Sequence, residues 1–338
     1  MLFEQVSIAG LAHIDAPNTL TSDEINARLR PTFERLGMTT DVLKDIAGIH
    51  ERRLWNAGMQ ASDAATLAAE AALLDAGVPR EKIGLLVNTS VSRDWLEPST
   101  ASIVCGNLGL SEDCQNFDVA NACLAFINGM DIAGRMLERG EIDYALIVDG
   151  EVSNLVYEKT IERMSRPDIT EAEFREEFAS LTLGSGAAAM VMARRELVPD
   201  APRYKGGVTR AATQFNSLCR GNLDRMVTDT KALLTEGLKL AQKTFAAAKL
   251  GLGWAVDEID QFVIHQISRV HTEVFTKTLG IDPKKVTTIF GEFGNIGPAS
   301  VPIVLSKLKA MGRLKKGDRV ALMGIGSGLN CSMAEVVW

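Results

Sequence analysis

FDVANACLAFINGMDIAGRML, residues 117–137, is the stretch from which the rest of the chain can be read. A short apolar run, Phe117 to Val119, ends in small residues. Cys123 follows at once, and Leu124, Ile127, Ile132 and Leu137 then recur at the spacing of one buried helical stripe. The pattern predicts a strand, a tight turn carrying the cysteine, and an amphipathic helix. A thiol at such a turn faces unpaired backbone N–H groups and the positive end of a helix dipole, which favour thiolate. That is one way to make a cysteine nucleophilic. A free cysteine taken alone is more often a small apolar core residue, so the assignment rests on what surrounds it.

An internal duplication supplies that context. REKIGLLVNTSVSR (80–93) lies over VDEIDQFVIHQISR (256–269) at an offset of 176 residues. Ile83 falls on Ile259, Val87 on Val263, Ser92 on Ser268 and Arg93 on Arg269. In the same register Phe117 falls on Phe293, Leu146 on Leu322 and Gly150 on Gly326. A register held over that length predicts two copies of one α/β unit, and the period is too long for a solenoid. Cys123 then lies over Ala299, and Thr89 over His265. Cys123, His265 and Asn295 thus fall at or beside the C-terminal ends of equivalent strands, where open α/β sheets bind ligands. Two halves packed about a pseudo-twofold axis would bring the three together.

Composition narrows the function classes. The 338 residues suffice for a sizeable core, and 46% are hydrophobic, as in a globular chain. A net charge of −7 argues against broad attraction to nucleic acid or an anionic membrane. No run of 18 uncharged apolar residues predicts an integral membrane segment, and the N-terminal residues do not read as a signal peptide. Five cysteines without CxxC spacing predict a reducing, cytoplasmic setting, and no metal site.

Strands alternating with helices predict mixed sheets covered on both faces. Helices are expected over 62–77, 98–109, 226–250 and 298–311, and strands over 83–88, 143–149 and 318–324. Charge and proline cluster over 194–207. The boundary is placed there, giving an N-terminal half, 1–197, with the nucleophilic cysteine and a C-terminal half, 198–338, with the histidine and asparagine. The charged stretch 164–178 reads as an insertion, either a solvated surface helix or a lid.

With Cys123, His265 and Asn295 in hand, the chain resembles the thiolase superfamily, and within it the β-ketoacyl-ACP synthase III branch. The resemblance rests on GIHERRL (48–54), DVANACLAF (118–126), GSGAAAMVM (184–192), HQISRVH (265–271), GNIGPAS (294–300) and GIGSGLNCSMAEVVW (324–338). It implies a duplicated five-layered αβαβα fold, a homodimer, coenzyme A thioesters as substrates and no cofactor. It further implies that Cys123 takes an acyl group as a thioester, and that His265 and Asn295 stabilise an enolate. The backbone N–H groups of Cys123 and of Ser327, in the Gly326–Ser327–Gly328 turn, would form an oxyanion hole. Gly326, Gly328 and Arg52 would contact substrate.

The departures from that branch are informative. His265-Gln266-Ile267-Ser268 stands where decarboxylating synthases usually show His-Gln-Ala-Asn. Val42 and Ile46 stand in the region where a nucleotide clamp commonly places tryptophan and arginine. Glu97, in DWLEPSTASIV (94–104), stands where an apolar residue is usual. A malonyl donor forms its carbanion by losing CO₂, whereas a plain acyl-CoA must lose an α-proton to a base. A glutamate in an apolar pocket has a raised pKa suited to that work. In the family this loop reaches across the dimer towards the partner's acyl pocket. Glu97 reads equally as a helix-start acid favoured by the dipole. Glu97, GNIGPAS and Ser268 together resemble the OleA-type long-chain acyl-CoA condensing enzymes of olefin biosynthesis. These join two acyl-CoAs without decarboxylation, giving a 2-alkyl-3-ketoalkanoic acid for downstream pathway enzymes. Two alternatives stand beside that expectation. One is a decarboxylating synthase III using a malonyl donor, and the other a non-catalytic acyl-CoA-binding subunit, against which the intact Cys/His/Asn set weighs.

Overall fold

The computed structural model describes residues 2–338 except 40 and 223. Its strands are β1 (Val6–Asp15), β2 (Asn18–Thr21), β3 (Glu51–Leu54), β4 (Ile83–Asn88), β5 (Gln115–Asp118), β6 (Tyr144–Glu151) and β7 (Gly186–Arg194), followed by β8 (Arg203–Ala211), β9 (Cys219–Gly221), β10 (Met226–Thr228), β11 (Gln261–Ile264), β12 (Arg319–Gly326) and β13 (Asn330–Val337). Its helices are α1 (Ser22–Leu36), α2 (Ala61–Ala76), α3 (Thr100–Leu108), α4 (Ala125–Glu138) and α5 (Asn154–Met164), then α6 (Glu171–Glu177), α7 (Thr230–Gly251), α8 (Arg269–Leu279), α9 (Phe290–Phe293) and α10 (Ser300–Ala310).

Nine strands run β11-β12-β13-β8-β1-β7-β6-β4-β5. β8 meets β1 at one pair only, Ser7 with Arg203. On either side of that seam the order is the same: an antiparallel strand pair leads to parallel strands at the outside. β6 over β12 and β4 over β11 follow the sequence register. β5 does not: Phe117 lies in β5 but Phe293 lies in α9. The second half makes only an isolated bridge, Phe262 with Val286, where a fifth strand would continue.

Three apolar clusters lie between the layers. α4 and α10 share a central cluster that includes Phe126, Met130, Leu137, Ile303, Leu305 and Leu308. α2 and α3 cover one outer face and α7 and α8 the other. Of the stripe read in 117–137, Leu124, Ile127 and Leu137 are buried and Ile132 partly so. α2 is rich in alanine because it lies hard on the sheet: a Cβ at Gly150 would fall 2.2 Å from the Ala61 carbonyl oxygen.

Two expectations change. The helix over 226–250 begins later, at Thr230, because Asp229 caps it by accepting from the Ala232 N–H, and residues 226–228 instead pair with β9. The 164–178 stretch is solvated on one face only, with 165–168, 170–172, 175 and 176 exposed. Met164, Ile169 and Phe174 are buried with Ile25, Leu29, Phe33 and Tyr157 in a fourth cluster. α1, α5 and α6 thus form a cap with a core of its own. No helix among the described residues is long and apolar enough to cross a membrane.

The loop carrying Asn295 is seated against Gly184, whose N–H donates to the Asn295 carbonyl at 2.9 Å. A Cβ at Gly184 would fall 1.8 Å from the Phe293 carbonyl oxygen. Gly184→Ala must displace that backbone. Overpacking of this kind costs about 2–3 kcal/mol, read as a lower urea midpoint at constant slope. An unchanged midpoint would show that residues 293–295 yield freely.

Candidate active site

Cys123 sits in a single 3₁₀ turn, Ala122–Leu124, that leads into α4. The preceding residue, Ala122, has φ +46°, the one positive φ on a non-glycine residue among those described. A left-handed conformation of this kind costs roughly 1–2 kcal/mol, and its neighbours hold it. The Asn121 amide donates to Asn128 Oδ1 at 2.6 Å and accepts from Asn330 Nδ2 at 3.1 Å. The turn lies against the end of β12, where Cβ atoms at Gly324 and Gly326 would fall 2.7 and 3.2 Å from the Leu124 side chain. The same Cβ position at Gly324 would lie 3.5 Å from the His265 Cβ, which brings His265 to the Leu124 side of β12.

His265 follows β11 directly and is 2% exposed. Its Nε2 lies 3.1 Å from Asn295 Oδ1, so the proton resides on Nε2. The Gly297 N–H also donates to that oxygen, at 3.0 Å, which leaves the Asn295 Nδ2 group to serve another acceptor. Gln266 fixes both loops: its Nε2 donates to the Thr287 carbonyl and its Oε1 accepts from the Ile289 and Phe290 N–H groups. The turn over 297–299 packs on the Cys123 turn. Cys123, His265 and Asn295 are thus gathered at one place from three elements.

The electrostatics differ from the expected thiolate. Burial pushes the Cys123 thiol up to about 12, with Cys219, Glu151 and Asp149 adding to the push. The cost of a buried charge outweighs the helix start. Burial pushes His265 down to about 4, against a small opposing effect of Asn295. The thiol and imidazole are therefore both neutral at pH 7.

The other candidates are placed as follows. Ser327 and Gly328 form the tip of the β12–β13 hairpin, partly exposed, and Gly326 closes it opposite Asn330. Gly328 has φ +132°. Glu97 is exposed on the 91–99 loop, beside Trp95 and Leu96, which are 64% and 84% exposed. Within one chain it is not gathered with Cys123, His265 and Asn295, nor in an apolar pocket. Arg52 corrects the expectation of a substrate contact. It is 0% exposed, and donates to the Leu20 and Leu181 carbonyls and to Ser22 Oγ. Its guanidinium fastens the cap to the body of the protein.

The sequence reading missed Asp149 and Glu151, two buried acids ending β6 beside the site. The signal was present in YALIVDGE, an otherwise apolar strand that closes on two carboxylates. Burial raises both, Glu151 to about 7. Cys219, on β9, adds to the upward push on Cys123.

Residues 117–201 match the model for 3-oxoacyl-[acyl-carrier-protein] synthase III, and residues 251–338 match the model for its C-terminal region. The chain belongs to this family, which has the thiolase fold, and it is an acyltransferase of the acyl-CoA:acyl-CoA alkyltransferase branch. It is 78% identical to the acyl-CoA:acyl-CoA alkyltransferase of Xanthomonas campestris pv. campestris, with both chains covered completely. It is 33% identical to the protein of the same name from Shewanella oneidensis, again over both full lengths. A crystal structure of Xanthomonas campestris OleA, a cysteine-to-serine variant with bound lauric acid and lauroyl-CoA, superposes with TM-score 0.99 at 78% identity and complete coverage of both chains. Other structures of that protein carry substitutions at one histidine and one glutamate. The glutamate and cysteine are 26 residues apart there, and the cysteine and histidine 142, which are the spacings of Glu97, Cys123 and His265.

The neutral histidine has a consequence for acid stability. Its folded pKa lies below the 6.5 of a free histidine, so the native state binds fewer protons than the unfolded chain. The contribution is present above pH 6.5 and is lost as pH falls towards 4, amounting to about 3 kcal/mol. Urea midpoints measured across that window should fall more steeply for the wild type than for His265→Asn. Parallel profiles would mean that His265 takes up a proton freely in the native state.

Proposed function

We propose that the chain condenses two long-chain acyl-CoAs without decarboxylation. The observation that carries this reading is the gathering of Cys123, His265 and Asn295 in a branch whose 78%-identical member is an acyl-CoA:acyl-CoA alkyltransferase. Cys123 attacks the thioester carbonyl of the first acyl-CoA. Coenzyme A departs as the thiol with the cysteine's proton, and an acyl-cysteine remains. Glu97 removes an α-proton from the second acyl-CoA. The enolate oxygen receives hydrogen bonds from Asn295 Nδ2 and from the His265 Nε2–H, which it shares with Asn295 Oδ1, and a neutral imidazole suits that donation. The α-carbon attacks the acyl-cysteine carbonyl, whose oxyanion is held by the N–H groups of Cys123 and Ser327. The Cys123 thiolate departs and regains a proton. Water then hydrolyses the remaining thioester, and a 2-alkyl-3-ketoalkanoic acid and the second coenzyme A, as its thiol, are released.

A second copy of the chain completes the site in this reading. β5 is an edge strand with one neighbour, and such edges invite pairing. Val91, Trp95 and Leu96 present exposed apolar surface next to Glu97. Association of two copies would cover that surface and bring each Glu97 towards the other protomer's cysteine. The soluble reaction partners are acyl-CoAs, and enzymes that consume the β-keto acid would act downstream. The halves 1–197 and 198–338 are then two copies of one unit, the first supplying the nucleophile and the base, the second the enolate donors.

Purified protein given one long-chain acyl-CoA and no malonyl donor should form the condensed product. Glu97→Gln should still show an acyl adduct by intact mass, yet lose condensation by about 10²-fold or more. Cys123→Ser should show no adduct. A requirement for malonyl-CoA or malonyl-ACP with release of CO₂ would return the chain to decarboxylating chemistry.

Mixing inactive Cys123→Ser protein with inactive Glu97→Gln protein tests the shared site. Random dimers should regain about a quarter of wild-type activity, because one of the two sites in each mixed dimer draws both groups from unmutated positions. No recovery despite demonstrated subunit exchange would confine Glu97 to its own chain or exclude it from the mechanism.

A further inference from the structure

We propose that Glu151 is a positioning residue for the condensation step, one that fixes the foot of the loop carrying Glu97 and braces it against the turn carrying Asn295. The proposal rests on the reading of Glu97 as the base.

Glu151 is 7% exposed at the end of β6, and its carboxylate is spent on the chain that leaves β4. One oxygen accepts the Val91 N–H at 2.6 Å. The other accepts the Ser92 N–H at 3.2 Å and the Ser92 hydroxyl at 2.7 Å. The Ser92 Oγ in turn accepts the Val152 N–H at 3.0 Å. Just upstream the same two segments are joined again, among other bonds by Thr89 Oγ1 donating to Asp149 Oδ2 at 2.6 Å and by the Gly150 N–H donating to Ser90 Oγ at 2.8 Å. Past Ser92 the chain carries Trp95, Leu96 and Glu97 into solvent. It is caught again where Asp118 accepts the Thr100 and Ala101 N–H groups at 3.1 and 2.8 Å. Between these feet Asp94 accepts the Ser62 N–H at the start of α2 at 3.1 Å, so the loop is held by Glu151 at one foot, by Asp118 at the other and by Asp94 between them.

Glu151 also has a second neighbour of consequence. A Cβ at Gly297 would lie 3.6 Å from its Cδ and Oε1. Gly297 is the residue whose N–H orients Asn295 Oδ1. One buried carboxylate thus bonds the approach to the base and lies beside the turn of the enolate donor. The titratable groups that bear on it are Asp149 on its own strand and the Cys123 thiol on the facing turn. A glutamine at 151 keeps the volume but presents an NH₂ group where an oxygen now receives an N–H, so the foot loosens. Misplacement by about 1 Å costs a reaction up to roughly 10²-fold.

The test compares Glu151→Gln, Ser92→Ala and the double variant, with Glu97→Gln alongside. Cys123 acylation is followed by intact mass, and condensation is resolved into kcat and KM. Glu151→Gln should lower the condensation kcat by about tenfold or more, with KM unchanged and acylation within about twofold of wild type. Ser92→Ala removes one donor to Glu151 and the acceptor of the Val152 N–H, leaves the Val91 and Ser92 N–H bonds to Glu151, and should lower kcat by about threefold. The double variant should be no slower than Glu151→Gln alone, since both act through one contact. Acylation and condensation falling together in Glu151→Gln would reduce the residue to a support of the fold and overturn the proposal. If Glu151→Gln does not fold, an unchanged condensation rate in Ser92→Ala overturns it. Condensation that survives in Glu97→Gln identifies the failure as that of the base reading and removes the reason for the anchor.

Discussion

The site depends on the close approach of two backbones, the turn 122–124 and the end of β12. Gly324 and Gly326 permit it, because any Cβ there would press into the Leu124 side chain. That approach places Cys123 beside the strand that neighbours β11, from which His265 emerges. The left-handed Ala122 is the local cost of turning the chain so sharply, and the amides of Asn121, Asn128 and Asn330 hold it. The central helices α4 and α10 then follow from the turns at 122–124 and 297–299, so the position of the chemistry and the packing of the core are set together.

Burial governs the charge state of the assembled groups. The thiol is pushed up and the imidazole down, each away from its ionised form. A site that is neutral at rest keeps its donors ready for charge that exists only during reaction, where low dielectric makes each N–H worth more. This arrangement suits a cysteine that gives its proton to the leaving thiol better than one standing as a free thiolate.

Much of this was legible in the sequence. The strand-turn-helix around Cys123, the pairing of Thr89 with His265 in register, and the joining of Cys123, His265 and Asn295 all follow from period and offset. The register failed at Phe293, because an offset cannot show that one copy has replaced a strand with a short helix. It misjudged the thiol, because a helix start is visible in sequence while the depth of burial is not. Arg52 looked like a ligand contact because its motif is shared across a family, yet its guanidinium is consumed by three oxygen acceptors in the interior. Asp149 and Glu151 went unread because their partners, Thr89, Val91 and Ser92, lie about 60 residues away in sequence.

The cap formed by α1, α5 and α6 carries a further consequence. Its apolar cluster is separate from the three that fill the layers. It is tied internally by Arg28 with Glu158 and by the buried Glu177 with Arg163, and outward by Glu177 with Arg225. A segment with its own core and its own ion pairs is a cooperative unit in its own right. Its order is passed to the rest of the chain through few polar ties, the buried Arg52 and the Glu177–Arg225 pair among them, so those side chains set how closely the cap and the sheets melt together.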